Sequence, residues 1–237
     1  MEDKKNLIRI ADKIQEALIK LNNSRYLELM RQLTSFAGQL QEITAKSRKM
    51  GTSLVHGWFS AAERCRKGIS RLFSDIQYSV SRLQPLAEKP QREIPKLSAL
   101  VGELDALEQE FGNAEFDISE NTISIITDPI TLEDLYLGPF KIQLELNKLS
   151  ELYQNTPYHV IALEPNPAAT DEAVTHPHVS NETLCEGDGC TAIRSALEEG
   201  RIYDFFTMAR SILNTYNPDS PYVSLDEWCD SFCLKLA

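Results

Sequence analysis

The chain has 237 residues, 42% apolar and 25% charged, which excludes a disordered or fibrous protein and leaves room for one large domain or two modest ones. Its net charge of −11 is uneven: residues 1–112 carry 18 Lys and Arg against 14 Asp and Glu, whereas residues 113–237 carry 6 against 21. So acidic a second half repels phosphate backbones, which argues against nucleic acid and favours a basic protein partner.

Leu7, Ile10, Ile14, Leu18 and Leu21, then Leu29, Leu33, Phe36, Leu40 and Ile43, recur at helical spacing. They predict two amphipathic helices broken near Asn22-Asn23-Ser24. After Met50-Gly51-Thr52-Ser53, a third stripe runs through Trp58, Ala62, Cys65, Ile69, Leu72, Ile76, Val80 and Leu83, with the steps of a heptad seam. Pro85, Pro90 and Pro95 punctuate a linker, and Leu97, Leu100, Val101, Leu104, Leu107 and Phe111 form a further helix. The stripes read as the core of a helical bundle, and Cys65 as one of its buried apolar residues.

From residue 116 the period changes. FDISENTISIITDP, GPFKIQLEL and PYHVIALEP alternate like strands, with turns at Asp128-Pro129 and Gly138-Pro139, and predict an antiparallel meander. AIRSALEEGR and IYDFFTMARSILNTY then read as helices. The expected fold is α+β: a helical bundle or coiled-coil-like region over 1–90, followed by a second domain over 91–237 in which helices flank the meander. No apolar run approaches a membrane span and the start is charged, without a signal-peptide core. A cytoplasmic protein with no membrane partner is expected.

Five cysteines (Cys65, Cys185, Cys190, Cys229 and Cys233) are an odd number in such a chain, so a disulfide framework is not expected. The stretch HPHVSNETLC, residues 176–185, concentrates the chemistry. Cys185 suits a nucleophile. Cys185-x4-Cys190 with Cys229-x3-Cys233 would alternatively close a four-thiolate zinc site in an interaction module. A redox pair of Cys185 and Cys190 is disfavoured, because the intervening EGDG is acidic and lowers no thiol pKa.

The order of helix, meander, HPx turn, cysteine, helix and NPxxP resembles the ubiquitin-conjugating enzyme family over roughly residues 93–228. ISIITDP looks like the family's first strand with its proline, and LYLGPFKIQLEL like its second. YQNTPYHV keeps Tyr153, Pro157 and Val160 of the YPxxPPxV pattern; HPHV is similar to HPNI or HPNV; LNTYNPDSPY is similar to LLxxPNPxxP through Leu213, Asn217, Pro218 and Pro221. The chain departs from that pattern in five respects. His178 replaces the family's asparagine, the stretch from Val160 to His176 is enlarged, CEGDGC replaces the apolar residues after the cysteine, the tryptophan usual shortly afterwards is absent, and 16 residues follow Pro221 where the family has two further helices. The likeness is to divergent members in bacterial ubiquitin-like conjugation systems.

The resemblance implies that Cys185 carries a ubiquitin-like modifier as a thioester. The modifier would arrive from a cognate activating enzyme and pass to an amine of a protein substrate, with no cofactor. His178 would donate to the tetrahedral oxyanion or act as base, and Asp188 would orient the incoming lysine. His176, Pro177, Tyr153, Pro157, Asn217 and Pro218 would support the active-site loop. Glu182, Glu186 and Asp188 flank Cys185, and their charge is expected to disfavour its thiolate. A non-catalytic scaffold on the same fold is the other alternative. The N-terminal helices would contact the activating enzyme, recruit a target or hold a homodimer.

Overall fold

The structure is a computed structural model that describes residues 2–88, 92–226 and 228. Contacts divide the chain into two compact units, Met1–Leu21 with Arg92–Ala237, and Asn22–Gln91. The first helical stripe, expected in a bundle over 1–90, is grouped with the C-terminal part.

The first two stripes form one continuous helix, α1 (Glu2–Val55), and α2 (Phe59–Glu88) follows it. The expected break at Asn22-Asn23-Ser24 does not occur. These residues lower helix propensity by only about 0.5 kcal/mol each, and no Gly or Pro accompanies them. The second expected break moves from Met50–Ser53 to Gly57, whose φ of 71° ends the helix as only glycine does without strain. Pro85 lies inside α2, not in a linker, and Pro90 falls outside the described residues.

Within Asn22–Gln91 the two helices run antiparallel: Ser79 Oγ donates to Gln39 Oε1 at 3.0 Å, and Lys46 lies against Gly68. Among the described residues only Ser53, Ala62, Leu72 and Leu83 are buried there, while Leu33, Leu40, Trp58 and Val80, expected in a bundle core, are exposed. Two helices cover one seam of each other and no more.

The other unit is α+β. α3 (Leu97–Phe111) leads into β1 (Glu115–Asp117) and β2 (Thr122–Ile126). A small hairpin of β3 (Ile130–Leu132) and β4 (Leu135–Gly138) follows, then β5 (Phe140–Glu145), a single turn α4 (Leu146–Leu149) and β6 (Tyr158–Ala162). The main sheet is antiparallel in the order β1-β2-β5-β6, in register through Ile125, Ile142 and Val160. The predicted meander is therefore present, widened by β1. The inserted β3–β4 hairpin turns on Glu133 and Asp134, both at positive φ; they lack the Asn-Gly signature by which such turns are recognised.

Past the sheet come β7 (Val174–His176), β8 (Val179–Ser180) and β9 (Thr183–Leu184), then α5 (Cys190–Glu199) and α6 (Ile202–Leu213). One core joins Ile10, Ile14 and Leu18 of α1, Leu100 and Leu104 of α3, Ile123 and Ile142 of the sheet, and Phe205, Phe206 and Leu213 of α6. No helix among the described residues is long and apolar enough to cross a membrane.

Gly200 closes α5 in the left-handed conformation at φ 71°. A Cβ there would stand 2.9 Å from Leu100, 3.0 Å from Leu18 and 3.0 Å from Pro95. Three elements converge on a position that admits no side chain. Gly200→Ala combines strain with overpacking and is expected to lower unfolding free energy by about 2 kcal/mol, read as a reduced urea midpoint at unchanged m.

Candidate active site

HPHVSNETLC folds as a hairpin. β8 and β9 pair through Val179↔Leu184 and Ser180↔Thr183, around Asn181 and Glu182 at φ 48° and 60°. Consecutive positive φ values make a two-residue hairpin turn, which matches strand twist. Asparagine tolerates that conformation well, glutamate less so. The ladder continues past β9, because the Cys185 N–H donates to His178 O at 2.7 Å. Cys185 is thus held beside the HPH turn, with a partly exposed side chain.

Both histidines of the turn are buried, His176 fully and His178 at 4% exposure; both ring nitrogens of His176 are hydrogen-bonded and one of His178. His176 Nε2 lies 2.9 Å from Leu213 O, so that nitrogen carries the proton and donates. Its Nδ1 accepts the His178 N–H at 3.0 Å. His178 Nε2 in turn accepts the Asn217 N–H at 3.1 Å, which puts the His178 proton on Nδ1. Burial drives the His176 pKa down to about 4, against the pull of the Leu213 carbonyl, and lowers that of His178. Both imidazoles are neutral at pH 7.

Leu213 is the last residue of α6, so His176 satisfies a carbonyl that the helix leaves unpaired. The Asn217 side chain forms an Asx turn, accepting the Asp219 N–H at 3.0 Å across Pro218. Tyr222, four residues beyond Pro218, donates its N–H to Pro177 O at 2.8 Å. HPHV and NPDSPY, far apart in sequence, therefore clasp each other around Cys185.

Tyr153 and Pro157 stand elsewhere. They line a cleft of about 360 Å³ with Tyr158, Leu184, Glu186, Cys190 and Arg194. The Tyr153 hydroxyl donates to Glu198, whose carboxylate also lies 2.9 Å from Arg92. The Tyr158 hydroxyl donates to Glu186, and burial together with that carboxylate drives its pKa far up. Glu186 also bonds the Cys190 thiol and raises its pKa, while Arg194 donates weakly to Cys190 Sγ at 3.9 Å. Of the three acidic neighbours of Cys185, Glu186 is turned to Tyr158 and Cys190. Glu182 approaches His159 at 3.6 Å, and Asp188 is exposed in the one-turn helix Gly187–Gly189.

Sequence reasoning missed Tyr222. Its pKa is raised, chiefly by burial, and its N–H donates to Pro177 O of the HPH turn. Its position directly after Pro221 in the NPxxP stretch was the available signal. Cys190 and Arg194 were missed as cleft residues, since only folding turns the start of α5 toward Tyr158. Among the described residues no group of three or more His, Cys, Asp or Glu could hold a metal ion. Cys185 and Cys190 are free, and the zinc arrangement's Cys229 and Cys233 lie outside the described residues.

The His176 environment has a pH signature. The unfolded chain takes up a proton near pH 6.5 and the native ring resists until about pH 4, so stability falls as pH drops through that window. The loss is on the order of 3 kcal/mol when complete. Replacing His176→Gln, which cannot titrate, should flatten the denaturation midpoint against pH between 6.5 and 4 while lowering it at neutral pH.

No family model, no curated protein and no solved structure matches the chain.

Proposed function

We propose that the chain is a conjugating enzyme for a ubiquitin-like protein, on a fold of the ubiquitin-conjugating type, and that Cys185 carries the modifier. One observation supports this above the rest: the HPHV and NPDSPY segments, which resemble that family separately, meet around the Cys185 backbone through His178 and Pro177. The α+β order of meander, hairpin, cysteine and helix is compatible with the reading.

The chemistry is acyl transfer. The Cys185 thiolate attacks the modifier's thioester carbonyl on the activating enzyme and expels that enzyme's thiol. A substrate amine then attacks the new thioester, loses a proton, and releases Cys185 as thiolate. ATP is consumed upstream, so this step needs no cofactor. Asp188 is exposed three residues beyond Cys185 and suits an incoming ammonium group. His178 contributes position first: its Nε2 lone pair is engaged by Asn217, so it has no basic nitrogen to offer, and only Nδ1–H remains for an oxyanion. His176 holds the turn.

With the cognate activating enzyme, modifier and ATP, wild-type protein should give a thiol-labile adduct on a non-reducing gel. Cys185→Ala should give none and Cys190→Ala should keep it; an adduct surviving in Cys185→Ala would overturn the reading. Asp188→Ala should load normally yet discharge to free lysine about fivefold more slowly, equivalent to ~1 kcal/mol for an exposed ion pair.

A further inference from the structure

The hairpin Asn22–Gln91 carries a surface that the proposed chemistry does not use. Its buried and half-buried residues advance in alternating steps of three and four, through Phe36, Gln39 and Ile43 on α1 and Ile69, Leu72 and Ile76 on α2. These are the a and d positions of a heptad in each helix. The two flanks of this seam differ in character.

One flank is polar. It is formed by the g positions, among them Glu28 and Glu42 of α1 and Asp75 and Arg82 of α2, and Arg82 acts across the pair on Glu28. Because the helices are antiparallel, the e positions of both lie together on the opposite flank. There stand Tyr26, Leu33, Leu40 and Leu54 of α1 with Phe59, Phe73 and Val80 of α2, each 42% to 73% exposed. Among the described residues, seven of the unit's twelve exposed large hydrophobics thus occupy one heptad position in seven, on one side, in both helices. Scattered apolar exposure is ordinary; a stripe broken between Tyr26 and Leu54 only by Ser47, and between Phe59 and Val80 only by Arg66, marks an interface.

The geometry points to a second copy of this chain as the occupant: the e flank of one hairpin packs on the e flank of another, and two hairpins become a four-helix bundle. Area supports this. From Tyr26 to Leu54 the row runs about 42 Å at 1.5 Å per residue. Two helices ~10 Å apart then offer roughly 800 Å², the share each partner contributes to an interface of standard size. Charge supports it too. Residues 22–91 hold 11 Lys and Arg against 5 Asp and Glu, an excess that would drive two copies apart if it lined the contact. Among the described residues the e rows carry a single charge, Arg66, already paired with Glu63 at 2.8 Å. The adjoining b positions are otherwise uncharged, as Met30, Ala37, Thr44, Ser70, Gln77 and Gln84. A twofold contact sets like against like, and this flank suits it because there is almost no charge to oppose. Finally, a hairpin with three buried apolar side chains, Ala62, Leu72 and Leu83, gains the core it lacks.

Sedimentation equilibrium of the full-length protein tests the proposal. The wild type should show twice the mass of one chain at 10 µM and above, and so should Cys185→Ala, since the interface is independent of the proposed chemistry. Tyr78→Glu, exposed but off the flank, should stay dimeric. The double change Leu40→Glu and Phe73→Glu should give a monomer. Leu40→Ala with Phe73→Ala, which keeps helix propensity and guards against simple unfolding, should weaken dimerisation at least tenfold with helix content unchanged by circular dichroism. A wild type monomeric at 100 µM would overturn the proposal, including the case in which a different protein covers the flank. A dimer untouched by the alanine pair would overturn it equally.

Discussion

Two neutral histidines hold the candidate site together. Donation runs in one direction around a closed circuit: from the Asn217 N–H to His178, from the His178 N–H to His176, and from His176 to the Leu213 carbonyl. The chain from Leu213 to Asn217 completes it. His176 donates through Nε2 and accepts at Nδ1, whereas His178 accepts at Nε2 and passes donation on through its backbone N–H, so bonds in the circuit polarise one another in a poorly solvated setting. Protonating either ring reverses one link and leaves a donor facing a donor. The position of Cys185 depends on this circuit, because its backbone hangs from the His178 carbonyl.

The two described cysteines near the cleft meet different surroundings although four residues separate them. Cys190 opens α5 and is bonded to Glu186, which holds its proton on. Cys185 directly follows β9, with its N–H bound to the His178 carbonyl. Glu186 accepts from the buried Tyr158 hydroxyl, so a residue of β6 fixes where one carboxylate of the acidic loop points. Nothing in the spacing of CEGDGC separates these thiols; the distinction arises from the strand behind them.

Much of the fold was legible because it rests on periodicity. The change from helical spacing to alternation at residue 116 locates the sheet, and Leu97 to Phe111 and Ile202 to Leu213 emerge as helices. What failed was punctuation. Asn22-Asn23-Ser24 and Gly51 weaken a helix by amounts that packing or length overrides, so α1 runs through both. Trp58, Leu33 and Val80 carry the hydrophobic pattern of a core, but pattern alone cannot say whether a partner helix exists to cover it. At the site, His176 and His178 could be recognised as belonging to one turn. Their tautomers, and the pairing of that turn with Asn217, depend on contacts some forty residues away in sequence. Tyr158 sat within a recognised strand, and its bond to Glu186 could not be read without the fold.

The hairpin that bears Cys185 has a further effect on the sheet beside it. β6 ends the order β1-β2-β5-β6, so its outward backbone groups would template an added strand from another molecule. The turn residue Glu182 meets that edge, accepting the Val160 N–H at 2.9 Å. The opposite edge, β1, is three residues long and charged at both ends. A chain whose sheet is blunted on both sides resists edge-to-edge aggregation, and the segment that presents the thiol is also the one that shields β6.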